Sequence, residues 1–166
     1  MHEQHLALVK KFYSSFAHHD AKGMAECYHD EVEFTDPAFG KLQGQEVNLM
    51  WQMLVEKGGD ELVVICSNLQ ADGQHGSAYW EAIYNFSKRQ RKVHNQVVAH
   101  FEFQDGLIKK HTDTFDFWRW ARMALGPMGL ALGWSHFFRG KFQKQAREIL
   151  KKYARGHTEA HNPGAS

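Results

Sequence analysis

The sequence predicts an α+β fold, with helices at both ends of the chain and an antiparallel meander between them. Three observations carry that reading. Apolar residues recur at helical spacing up to Gly58, four later segments alternate with a period of two, and helical spacing returns beyond Trp118.

In the first segment Leu6, Val9, Phe12, Tyr13 and Phe16 form an i, i+3, i+4 stripe, the buried face of a helix ending near "AHHD". Asp20 is placed to cap a short second helix holding Met24 and Tyr28, because its carboxylate accepts the free N–H groups of the first turn. "EVEFTD" reads as a strand with Val32, Phe34 and Asp36 on one face and Glu33 and Thr35 on the other. Asp36 therefore points where the apolar residues point. After the turn, Gly44 opens a helix carrying Val47, Met50, Trp51 and Leu54, and Gly58 with Gly59 ends it. "ELVVICSNLQ", "SAYWEAIYNFS", "KVHNQVVAHFEF" and "LIKKHTDTFDFW" are the four meander strands, joined by hairpin connections at "ADGQHG", "KRQR" and "QDG". "RWARMALGPMGLALGWSHFF" breaks at "GPMG" into two short helices; its two arginines, glycines and proline make it a poor membrane span, which needs ~20 apolar residues. A final helix turns Phe138, Phe142, Ile149 and Tyr153 to one side. The expected organisation is a domain over 1–118, a helical extension over 119–155 packed on it, and a tail over 156–166.

The chain has 166 residues, 43% hydrophobic and 23% charged, enough for one core with a pocket and too few for a second domain. Net charge is +1, so nothing draws the whole molecule to nucleic acid or acidic substrates. The charge is uneven, however. The final helix sets Arg139, Lys141, Lys144, Arg147, Lys151, Lys152 and Arg155 against Glu148 alone. Beside a Trp/Phe/Leu segment, such a helix fits an anionic membrane surface; the plainer reading is a helix covering the sheet or cavity mouth and solvated on its outer side. Cys27 and Cys66 are the only cysteines, and no cleavage site follows the charged N-terminus, which points to a reduced, cytoplasmic protein without a disulfide. Twelve histidines occur in short clusters without HExxH spacing or a cysteine partner, so no metal or other cofactor is expected.

"FYSSFAHHDAKGMAECYHDEVEFTDP" and "AHFEFQDGLIKKHTDTFD" resemble the opening and closing motifs of the nuclear transport factor 2-like superfamily, over residues 4 to 118. Its members include SnoaL-like polyketide cyclases, ketosteroid isomerases and limonene epoxide hydrolases. The resemblance implies a cone-shaped fold, a curved sheet wrapped by three helices around a conical cavity for a small apolar ligand, and often a homodimer through the outer sheet face. Sites of that kind are concave and lined by aromatic and apolar groups. Phe16, Phe34, Trp51 and Trp80 lie on segments expected to line it, as do Tyr84, Phe101 and Phe115, with Ala99 among them. Packing of a plain core would use the same aromatics.

Asp36 falls where the ketosteroid isomerases place their catalytic base. Phe12 occupies their oxyanion-hole tyrosine position, with Tyr13 one step away, and Ala99 occupies the position of its acidic partner. Asp113 matches one of two water-activating carboxylates of the epoxide hydrolases, whose Arg-x-Asp pair has no counterpart in "AYWEAIYNF", where Glu81 is the only charge. SnoaL-like cyclases, which need a carboxylate in an apolar cavity, fit best. Independently of family, a carboxylate on the face of Val32 and Phe34 is partly desolvated, which raises its proton affinity toward neutral pH. The alternative is a turn role, since an Asp before Pro commonly accepts backbone N–H groups. Asp113 shares its face with His111 and Phe115, and two carboxylates in one cavity would divide into acid and base; its alternative is a plain pairing with His111 or a lysine. Tyr13 or His111 is the expected donor, and His100 a further proton shuttle. The expected function is acid/base chemistry of cyclase, isomerase or hydrolase type on a small apolar carbonyl compound, the alternative a binding or dimerisation module without turnover.

Overall fold

The structure, a computed structural model, describes residues 1–160. Helices α1 (His2–Ala17) and α2 (Ala21–Ala25) lead into β1 (Tyr28–Asp36), β2 (Gly40–Gln43) and α3 (Gln45–Gly58). Strands β3 (Val63–Ala71), β4 (His75–Phe86), β5 (Arg91–Gln104) and β6 (Leu107–Thr114) follow, then α4 (Phe117–Leu125), α5 (Pro127–Leu132) and α6 (His136–Ala160). Asp20 accepts the Gly23 N–H at 2.9 Å, the cap that its position called for.

Six strands form one sheet in the order β2-β1-β6-β5-β4-β3. Consecutive hairpins build β3 to β6, and the last strand returns beside β1, which it meets in parallel while all other pairs are antiparallel. That parallel pair departs from the purely antiparallel expectation. It aligns Phe34 with His111 and Thr35 with Thr112.

The core lies between α1, α3 and the concave face of the sheet. Val9, Phe12, Tyr13 and Phe16 come from α1, Val47, Met50 and Trp51 from α3, and Trp80, Val97, Ala99 and Phe101 from the strands. Phe117, Trp120, Ala121 and Ala124 of α4 build a second cluster on Val93, with Phe138 and Phe142 of α6 packed against it.

Five local readings change. Tyr28 starts β1 instead of ending α2, and Gly40–Gln43 forms a strand pairing with β1. "FDFW" is not strand: the Asp116 side chain accepts the Arg119 N–H at 3.0 Å and caps α4. In α6, Phe138, Phe142 and Tyr153 pack inward as expected, but Leu150 takes the place expected of Ile149, which is exposed. The helix runs to Ala160, past the start of the expected tail; positions 161–166 lie outside the described residues.

Candidate functional site

Asp36 is the last residue of β1 and Asp113 the last but one of β6. The parallel register ends at the Thr35–Thr112 pair, each carboxylate is the next residue on its strand, and the two are near enough for their charges to interact.

Asp36 divides its two oxygens. Oδ1 accepts the N–H groups of Ala38 at 2.9 Å and Phe39 at 2.6 Å, which fixes the turn after Pro37. Oδ2 has no hydrogen-bond partner among the described residues. Burial pushes the carboxyl up to about 7, against the pull of the Phe39 N–H, and the charge of Asp113 pushes the same way.

Asp113 ends a buried chain of polar groups. Trp51 Nε1 donates to the Tyr28 hydroxyl at 2.9 Å, Tyr28 donates to His111 Nδ1 at 2.7 Å, and His111 Nε2 donates to Asp113 Oδ1 at 2.8 Å. Trp80 Nε1 reaches the same oxygen at 3.3 Å. Donor counting assigns the tautomer: the Asp113 carboxylate only accepts, so the proton of the neutral ring sits on Nε2 and Nδ1 accepts from the Tyr28 hydroxyl. Both nitrogens of His111 are thus engaged, and it holds Asp113 in place rather than offering a free proton. The pairing lies along one strand, between residues two apart, rather than across two.

Tyr13 projects from α1 between Trp80 and Phe101, with ring centroids 6.2 and 6.3 Å away. It is 3% exposed, and its hydroxyl has no hydrogen-bond partner among the described residues. Burial holds that hydroxyl well above the usual phenol range, and the Asp113 charge adds to it.

The aromatic side chains expected to line a cavity mostly touch one another. Phe16 meets Trp51 at 5.1 Å and Trp80 at 5.4 Å, Phe34 meets Trp51 at 5.4 Å, and Phe101 meets His111 at 4.6 Å. Rings at such separations are in contact, so no ligand fits between them. Tyr84 and Phe115 stand at the Asp36 end, packed against both hydrophobic clusters. Trp120 Nε1 donates to the Tyr84 hydroxyl at 2.8 Å, and burial, aided by the Asp36 charge, pushes that hydroxyl up to about 12. Ala99 pairs with Asp113 in register and Ala78 with Ala99, leaving a low stretch of sheet beside the carboxylates.

Helix α6 lies across the turn after Asp36. Gln143 donates to the Pro37 carbonyl at 3.0 Å and Arg147 to the Phe39 carbonyl at 2.7 Å. Glu81 and His100 are on the other side of the sheet. Glu81 accepts from His94 and Gln96, and His100 borders a shallow outer depression of about 110 Å³ with Glu102, Lys110 and Thr112. Neither can act with Asp113, which corrects the shuttle role expected of His100 and leaves Glu81 a charge on the outer face. Among the described residues, no group of three or more His, Cys, Asp or Glu side chains is placed to hold a metal ion.

Three participants were not singled out as site residues from the sequence: Tyr28, Trp120 and Arg147. Tyr28 has the same parity as Val32 and Phe34, so extending the alternation backward would have found it.

The sequence pattern of the family described as SnoaL-like domain matches residues 9–111, more than half of the chain. The chain belongs to this family. The SnoaL-like region thus takes in Asp36 and His111 and stops just short of Asp113. A comparison with curated protein sequences finds no match. Among solved structures, an LEH-like epoxide hydrolase of M. tuberculosis is 16% identical, with a TM-score of 0.60 over 78% of this chain and 94% of that one. A proposed polyketide cyclase of Xanthomonas campestris is 15% identical, with a TM-score of 0.59 over 74% and 98%. A proposed ketosteroid isomerase of Kribbella flavida is 17% identical, with a TM-score of 0.55 over 69% and 79%. Likeness at these identities speaks for the fold, which is the nuclear transport factor 2-like cone. Among the described residues no helix is long and apolar enough to cross a membrane.

Proposed function

We propose that this SnoaL-like protein binds a small apolar carbonyl compound at the end of the cone that holds Asp36, and catalyses isomerase- or cyclase-type acid/base chemistry on it. The observation that carries this reading is the placement of Asp36 and Asp113 just beyond the last paired residues of adjacent strands, with Oδ1 of Asp113 taken by two donors and Oδ2 of Asp36 left without one among the described residues. Asp36 Oδ2 takes a proton from the carbon next to the carbonyl, and the C–H electron pair moves toward the carbonyl oxygen as an enolate. Burial keeps the proton affinity of Asp36 high enough for a base near neutral pH, and the charge of Asp113, which His111 holds in place, adds to it. The Tyr13 hydroxyl keeps its proton and donates a hydrogen bond to the enolate oxygen, where one donor is worth ~3 kcal/mol or more. The protonated Asp36 then returns its proton to a different carbon in an isomerase, while in a cyclase the enolate carbon bonds to a second carbonyl carbon and the alkoxide so formed takes the proton. The epoxide-hydrolase variant is less well supported, because Glu81 faces away and leaves Asp113 without the partner that chemistry uses.

A second reading, a binding module without turnover, is favoured by the ring contacts that fill much of the interior. One experiment separates the two. A ligand retained by the purified protein is identified by native mass spectrometry, and Asp36→Asn is assayed for its binding and turnover. The catalytic reading expects binding within a few-fold of wild type and turnover lost. Undiminished turnover removes Asp36 as base, and binding without turnover in the wild type supports the module.

A further inference from the structure

We infer that the segment from α5 through the first turn of α6 docks the protein onto an anionic lipid bilayer surface. Five of the eleven exposed large hydrophobic residues among the described residues fall within Met128–Phe137. Trp134 and Phe137 are 69% and 74% exposed, and Met128, Leu130 and Leu132 about half. Single exposed apolar residues need no explanation, but a dense run of them does.

The fold holds these side chains outward. Gly129 packs on α4 so closely that a Cβ would sit 1.8 Å from the Ala121 carbonyl oxygen, and at Gly133 it would sit 2.7 Å from the Ala121 Cβ. Trp118 Nε1 donates to the Leu130 carbonyl at 3.3 Å, and Trp134 Nε1 to that of Ala131 at 2.9 Å. Gly129 of α5 and Gly133 just after it therefore face the protein while Met128, Leu130 and Leu132 face away. A helix stabilised by its own core would do the reverse.

Charge selects the occupant. From Phe117 to Arg147 the chain has six Lys or Arg residues and no Asp or Glu. The Arg122 guanidinium lies 4.3 Å from the centroid of Trp118, and the Lys141 ammonium 4.8 Å from that of Phe137. Phe137, Lys141 and Lys144 follow i, i+4, i+7 along one outward stripe of α6. Rings with cations beside them match the acyl boundary and the anionic headgroups of a bilayer. A second copy on this face would set the same cations against each other, which disfavours self-association. The apolar stripe of α6 itself, with Phe142 and Leu150, is spent on the protein, so the docking face lies at the start of the helix and not along it.

The test is co-sedimentation of the full chain with phosphatidylcholine vesicles, alone or with roughly one-third phosphatidylserine, at low and high salt. Binding is expected with phosphatidylserine only and weakening with salt. The pair Trp134→Ser with Phe137→Ser lowers it at least tenfold, and Lys141→Gln with Lys144→Gln roughly twenty-five-fold, about fivefold per cation. All four side chains are exposed, so unchanged thermal melts verify folding of the variants. Absence of binding to phosphatidylserine vesicles, or binding indifferent to Trp134→Ser with Phe137→Ser, overturns the inference. A concentration-dependent dimer abolished by that same pair, without vesicle binding, assigns the face to a second copy instead.

Discussion

Asp36 has a turn role and a candidate chemical role at once, because a carboxylate has two oxygens and the backbone of Ala38 and Phe39 takes only one. Its raised proton affinity has a stability consequence. The folded state holds the proton more tightly than the unfolded chain, whose value is near 3.8, up to about 7. The contribution is therefore fully present below pH ~4 and is lost as pH rises through about 7, a change of roughly 2–4 kcal/mol once partial exposure is allowed for. Asp36→Asn keeps the acceptor for the turn and has no charge to desolvate. Urea unfolding should find it more stable than wild type at pH 8 by a few kcal/mol, with the advantage gone at pH 4. Tyr13 gives a prediction of the opposite kind. Removing a buried hydroxyl without a partner relieves a penalty of ~1–3 kcal/mol, so Tyr13→Phe should raise the melting temperature while lowering turnover a hundredfold or more. A fall in both would make Tyr13 a structural residue only. The face of Asp36 and the cap at Asp20 were legible because they depend on local periodicity. The chain from Trp51 through Tyr28 and His111 was not, since it needs the parallel register of β1 on β6, which no local pattern contains.

At the scale of elements, α6 ties the extension to the cone through Leu150 and through the bonds of Gln143 and Arg147 to the turn beside Asp36. Leu150→Ala should cost about 2–5 kcal/mol in equilibrium unfolding. Gly129→Ala acts differently, because its Cβ collides with backbone that cannot yield. Hydrogen exchange should show α5 detached from α4 while β4 to β6 keep their protection; unchanged protection of α5 would contradict the packing described. The sequence carried the existence of α4, α5 and α6 through Pro127, Gly126 and the apolar spacing. It misplaced one residue of the inward stripe of α6, because "EILKKY" supports a stripe through Ile149 or through Leu150 and only docking against the core chooses Leu150.

At the scale of the whole molecule, the order of helices and strands was readable and the six-stranded cone followed from it. The filling of the interior was not, since an aromatic that lines a cavity and one that fills a core have the same pattern in sequence. We propose that the outer face of the sheet pairs two copies, as suggested by Val63, Ile65 and Val98, each between 43% and 50% exposed. Sedimentation should show a dimer that Ile65→Glu with Val98→Glu converts to monomer, and a wild-type monomer at all concentrations would remove the proposal. The central claim, that Asp36 is a base tuned by Asp113, is tested most directly by following the Asp36 carboxyl carbon in a carbon-detected NMR titration of wild type and Asp113→Asn. The account predicts a midpoint of about 7 that moves down when the Asp113 charge is removed. A midpoint near 4 in the wild type, or one that ignores the substitution, would contradict it.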